Sequence, residues 1–151
     1  MTSEHILDPH TLSAEDIVEF FRSHIQQIVG EITRGMAETP AGIERLCAAL
    51  VTYWEAGYAR RSVRRMIVNA AAGTSLENEL DRIGKPFRHL LQLELHSIGH
   101  RSKPTIDTIF NEAKAITLEE ATSGVRAMAR RSRLIIAIRS NTLTDLAPAA
   151  T

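Results

Sequence analysis

The chain has 151 residues, 44% hydrophobic and 24% charged, with 18 basic against 18 acidic side chains; this suits one globular domain and excludes disorder-dominated composition or a global basic field for nucleic acid. The single Cys47 rules out an internal disulfide and a cysteine-rich metal site. No run approaches the ~18 consecutive apolar residues of a membrane span, and MTSEHILDPH lacks the basic start and apolar run of a signal peptide, so a cytoplasmic location is expected.

Apolar residues recur at steps of three and four almost throughout, without sustained alternation, which predicts an all-α fold. Residues 1–12 carry no pattern and read as a disordered leader. The first helix presents Ile17, Phe21, Ile25, Ile28, Ile32 and Met36, with Ser13 and Asp16 as a capping box at its start. Thr39-Pro40 is expected to end it and to open a second helix, about 40–59, with Ile43, Cys47, Leu50, Trp54 and Tyr58 on one side. A third, about 61–72, shows Val63, Met66, Ile67 and Ala70 and stops at Gly73. Thr74 and Glu77 form a T-x-x-E box for a long fourth helix carrying Leu76, Leu80, Ile83, Phe87, Leu90, Leu91, Leu95 and Ile98, kinked near Gly84 and Pro86. A fifth, about 104–116, holds Ile106, Ile109, Phe110 and Ala113. A second T-x-x-E box, Thr117 and Glu120, either lies within one continuous rod or, as is expected in preference, starts a sixth helix, about 118–139, with Leu118, Ala121, Val125, Met128, Ser132 and Ile135. Residues 13–140 thus form a single helical domain, and 141–151 a frayed tail.

Chemistry-bearing residues are sparse. His96 and His100 stand at metal-ligand spacing, but Gly99 interrupts them and no third ligand is fixed, so no metal site is expected. His24 falls on the apolar side of the first helix, where a hydrogen-bonded core or boundary histidine is expected. Glu94 sits at the edge of the fourth stripe, as a solvent-reaching flank residue or a polar anchor in a greasy cavity. Arg60, Arg61, Arg64 and Arg65 cluster, and Arg126, Arg130 and Arg133 follow one helix face. Residues 1–59 carry nine acidic against three basic side chains, which favours pairing of these arginines within the fold or across a dimer. No G-x-G-x-x-G, P-loop, H-E-x-x-H or G-x-S-x-G motif occurs, so no catalytic residues, cofactor or enzyme activity are expected. A kinked central helix packs imperfectly, and Trp54, Tyr58, Met66, Phe87, Leu91 and Glu94 are the candidate lining of a pocket beside it.

The order of elements carries a resemblance. A long first helix, the P-x-x-I-x-x-L segment PAGIERL (Pro40–Leu46), the aromatic-ending YWEAGYARR, a short Arg-rich helix, a long kinked helix and two helices rich in small residues together resemble the C-terminal domain of TetR-family transcriptional regulators, over roughly residues 20–140. The resemblance implies a six-helix orthogonal bundle that binds a small hydrophobic effector among its central helices. It also implies a homodimer joined by the last two helices, here through Ile109, Phe110, Ala113, Ala121, Val125, Met128 and Ser132. LSAEDIVEFFRSH (Leu12–His24) is similar to the end of that family's DNA-binding headpiece. Three helices do not fit ahead of it, so the chain is not expected to bind DNA directly. Alternatives are a stand-alone carrier of lipid or another apolar ligand, and a dimerisation partner of a full-length regulator.

Overall fold

In the computed structural model, which describes residues 13–143, α1 (Ala14–Glu38) opens with the expected capping box. The Ser13 hydroxyl accepts the Asp16 N–H at 3.1 Å, and the Asp16 carboxylate accepts the Ser13 N–H at 3.2 Å. One face of α1 buries Ile17, Phe21, His24, Ile25, Ile28 and Ile32; each large apolar side chain removed from water contributes about 1.5–3 kcal/mol. The leader (1–12) and residues 144–151 lie outside the described residues.

α2 (Ile43–Ala59) starts later than Thr39-Pro40 predicts. Thr39 is used at the end of α1, where its hydroxyl donates to the Gly35 carbonyl and its own carbonyl accepts from Arg45. The new helix begins after Gly42, at φ +150°, a backbone conformation that favours glycine. α3 (Arg61–Ala71) stops near Gly73, at φ +74°. The following T-x-x-E works out of register with a capping box. Glu77 accepts the Gly73 N–H at 2.7 Å, and the Thr74 hydroxyl accepts from Leu76 and donates to Ala71.

The kink expected in the long fourth helix is a division. α4 (Leu76–Ile83) and α5 (Lys85–Ser97) meet at Gly84, with Pro86 in the first turn of α5, where its missing N–H costs no helical hydrogen bond. α4 packs on α1 and α3, while α5 runs in among α1, α2 and α6.

The break expected at Thr117 is absent. Thr117 is buried and its hydroxyl donates to the Ala113 carbonyl, four residues back, so it sits inside one continuous helix, α6 (Lys103–Ser123). The chain turns at Gly124, in the left-handed region at φ +80°, and returns as α7 (Met128–Ser140). Asn141 and Thr142 bond back to α7, and Leu143 is buried, so the first residues of the expected tail are packed. The described residues thus form an all-α fold of seven helices rather than six, without a strand, around one core drawn from α1, α2, α3, α5, α6 and α7.

Candidate functional site

The parting of α4 from α5 leaves a cavity of about 540 Å³ bounded by α1–α6. Its wall mixes apolar and charged side chains; the apolar part is Phe21 and Ile25 from α1, Tyr53 from α2, Ile67 and Ala71 from α3, Leu80 from α4, Phe87 from α5, Phe110 and Leu118 from α6. Tyr53 stacks on Phe87 with ring centroids 4.0 Å apart and planes 9° from parallel, and Phe110 tilts against Phe87 at 6.1 Å. Its size falls among small-molecule sites, which span about 300–1,000 Å³. Two grooves along α1, one against α2 and one against α4 and α5, are more open to solvent.

One charge in this lining stands out. Arg64, only 5% exposed, reaches the cavity from α3, and its Nε and Nη1 have no hydrogen-bond partner. Its guanidinium lies 5.6 Å from the centre of the Phe21 ring. Such a cation–π contact returns about 0.5–2 kcal/mol, whereas leaving charged donors desolvated and unbonded costs more than the 1–3 kcal/mol typical of a neutral group. The other buried charges are paired: Glu94 takes two bonds from Arg45, at 2.9 and 2.7 Å, and Glu120 takes two from Arg131, at 2.6 and 2.7 Å. The remaining charged lining is also engaged in part. Lys114 binds Asp81 at 2.6 Å, Arg88 binds Asp107, and Glu77 holds the Gly73 N–H. Lys103 and Arg88 hold the Asp107 carboxyl below its ordinary range.

Of the six lining residues expected from sequence, Phe87 faces this cavity. Trp54 and Leu91 are core residues; the Trp54 indole donates to the Ala113 carbonyl at 3.1 Å. Tyr58 lies at the α6–α7 turn, its hydroxyl bonded to the Gly124 carbonyl and its ring between the guanidinium groups of Arg61 and Arg126. Met66 is half-buried and outside the lining. Glu94 is buried rather than solvent-reaching, lies outside this lining, and has its carboxylate held by Arg45. Arg64, Tyr53, Phe21 and Ile67 went unread as lining, although Arg64, Ile67 and Ala71 are spaced three and four apart and form the buried face of α3. The stripe through Val63, Met66 and Ala70 was the neighbouring one.

The residues expected at a dimer contact divide. Ile109, Ala113 and Ala121 are inside this chain's own core, so a second copy cannot reach them. Phe110 lines the cavity. Val125, Met128 and Ser132 are exposed, and Ile136 joins them at 59% exposure.

Arginines of the last helix and of the turn before it pair within the fold. Arg130 holds Glu112 and Glu119, Arg126 holds Glu55 through two 3.0 Å bonds, and Arg139 pairs with Glu44. Arg131, outside the arginine stripe legible in the sequence, closes the α6–α7 turn: it binds Glu120 and Glu55, while Glu120 also accepts the Ala127 N–H at 2.9 Å. Burial works against the Arg131 charge, yet the Glu120 and Glu55 bonds hold its pKa above the ordinary value. The 60–65 arginines find carbonyls and ring faces instead: Arg65 donates to Ala121, and Arg61 to Tyr58. His24 is buried as its position suggests, but its Nε2 lacks the expected hydrogen bond, and burial with the nearby Arg64 and Arg60 charges pushes its pKa down to about 3. α5 ends at Ser97, and Gly99, at φ +96°, separates His96 from His100. Among the described residues no group of three or more His, Cys, Asp or Glu is placed to hold a metal, and no helix is long and apolar enough to cross a membrane.

Comparison of the chain with protein-family models, with curated proteins and with solved structures returns no match.

Proposed function

We propose that this chain is a small-molecule-binding helical domain, the effector-receiving and dimerising part of a TetR-like regulator, with the ligand seated at the α4–α5 joint. The cavity of about 540 Å³, with four aromatic rings in its wall, is the observation that carries this. A ligand there touches both halves of the divided helix and one face of α6, through Phe110, Asn111, Lys114 and Leu118. α6 continues through Gly124 into α7, where Val125, Met128 and Ile136 are 61%, 55% and 59% exposed. An occupant that prefers one setting of the Gly84 joint would therefore bias α6, and through it the surface offered to a second copy.

The test uses a neutral apolar fluorophore, N-phenyl-1-naphthylamine, titrated against the whole chain. Saturable binding at one site is expected, weakened about tenfold or more by Val68→Trp, which fills the cavity from a partly exposed position on its rim. Circular dichroism checks that the variant is folded. Absence of saturable binding, or equal binding by a folded Val68→Trp, would sink the proposal. Mass spectrometry under native conditions adds a discriminating outcome: a co-purified apolar ligand retained at high occupancy would favour the carrier over the regulator.

A further inference from the structure

We infer that the pocket takes an amphipathic anion, an apolar chain ending in a single carboxylate, with Arg64 receiving the carboxylate. This rests on the cavity being a ligand site and adds the chemical class of its occupant.

Three observations converge. Arg64 is the one buried ionic side chain among the described residues without an oppositely charged partner, and two of its three guanidinium nitrogens have no acceptor. Glu94 and Glu120 show how this chain treats other buried charges, with two short charge-assisted bonds each. A carboxylate from outside would complete Arg64 in the same manner. Beside Arg64 the wall carries an apolar surface of Phe21, Ile25, Tyr53, Ile67, Phe87 and Phe110, which accepts hydrocarbon, while the other charged side chains come from α4, α5 and α6.

The balance of charge agrees. Arg64, Lys85, Arg88 and Lys114 face the cavity against Glu77 and Asp81; with Lys114 on Asp81 and Arg88 on Asp107, Arg64 and Lys85 are left against Glu77. An incoming anion therefore meets a net positive lining, and a cationic head group meets Arg64 with nothing to neutralise it.

Decanoate, 1-decanol and decyltrimethylammonium share one tail and differ in the head, so each is used to displace N-phenyl-1-naphthylamine from the wild-type chain. Decanoate is expected to displace the fluorophore at a concentration about tenfold or more below that of decanol, with the cation weakest. Arg64→Gln should abolish the preference for decanoate over decanol while leaving the neutral fluorophore bound, and Arg64→Lys should keep part of it. Should Arg64→Gln fail to fold, the order of the three heads on the wild type decides alone. Decanol matching decanoate while the fluorophore binds, or a folded Arg64→Gln with undiminished preference, overturns the inference and leaves the pocket standing. No fluorophore binding at all would remove the pocket, and this inference with it.

Discussion

Single side chains decide how this fold responds to acid and to loss of charge. His24 is desolvated and sits near Arg64 and Arg60, which together bring its pKa from 6.5 down to about 3. Because the folded value lies below the unfolded one, the unfolded chain takes the proton first. Stability is thus unaffected by His24 above pH 6.5 and falls below it, by about 1.4 kcal/mol per pH unit, until the folded pKa is passed. A His24→Phe variant should lose less stability than the wild type between pH 6.5 and 4 in urea titrations; parallel pH profiles would contradict this. Arg131 and Glu120 make the opposite case, a buried pair whose halves need each other. Glu120→Gln leaves the buried Arg131 with only the partly exposed Glu55 and should cost toward the lower end of about 3–5 kcal/mol, whereas Glu120→Leu with Arg131→Met should recover most of that. The remainder would come from the Ala127 N–H, which loses its acceptor. Equal destabilisation by the single and the double change, measured in urea, would contradict the pairing argument.

At the scale of elements, close approach of helices is set by small residues in particular places. Gly57 on α2 faces Thr117 on α6, and a Cβ at Gly57 would come within 2.9 Å of the Thr117 Cγ2. Alanine in mid-helix ordinarily stabilises by up to about 1 kcal/mol over glycine. Here overpacking outweighs that gain, so Gly57→Ala should destabilise by about 1–3 kcal/mol. Adding Thr117→Ser removes the offending methyl and should restore stability to the wild-type level or above it, read from thermal midpoints. A Gly57→Ala chain as stable as the wild type would show that α2 and α6 can move apart. The two T-x-x-E sequences make a related point about context. Thr74 and Glu77 bond within the glycine turn that precedes α4, while Thr117 and Glu120 are buried against α2 and α7 and continue a helix instead.

For the whole molecule, the proposed dimer makes a prediction of its own. If α7 and the turn before it meet a second copy, the wild type should sediment as a dimer at micromolar concentration. Met128→Glu combined with Ile136→Lys should then give a monomer of unchanged helicity, since both side chains are more than half exposed in the single chain. A wild type that is already monomeric at high micromolar concentration would remove the dimer from the proposal, without touching the cavity.

The sequence by itself determined the all-helical character, the capping box at Ser13, the stop at Gly73 and the interruption at Gly84-Pro86. These depend on local periodicity, on side chains three residues apart and on backbone freedom at glycine or proline. Tertiary structure alone decided that α6 runs unbroken past Thr117, that Glu94 is spent on Arg45, and that Arg64 reaches the cavity with two of its nitrogens unbonded. A carboxylate or guanidinium reads the same in a sequence whether its partner is water, a distant residue or nothing, and only the packing of helices far apart in the chain settles which.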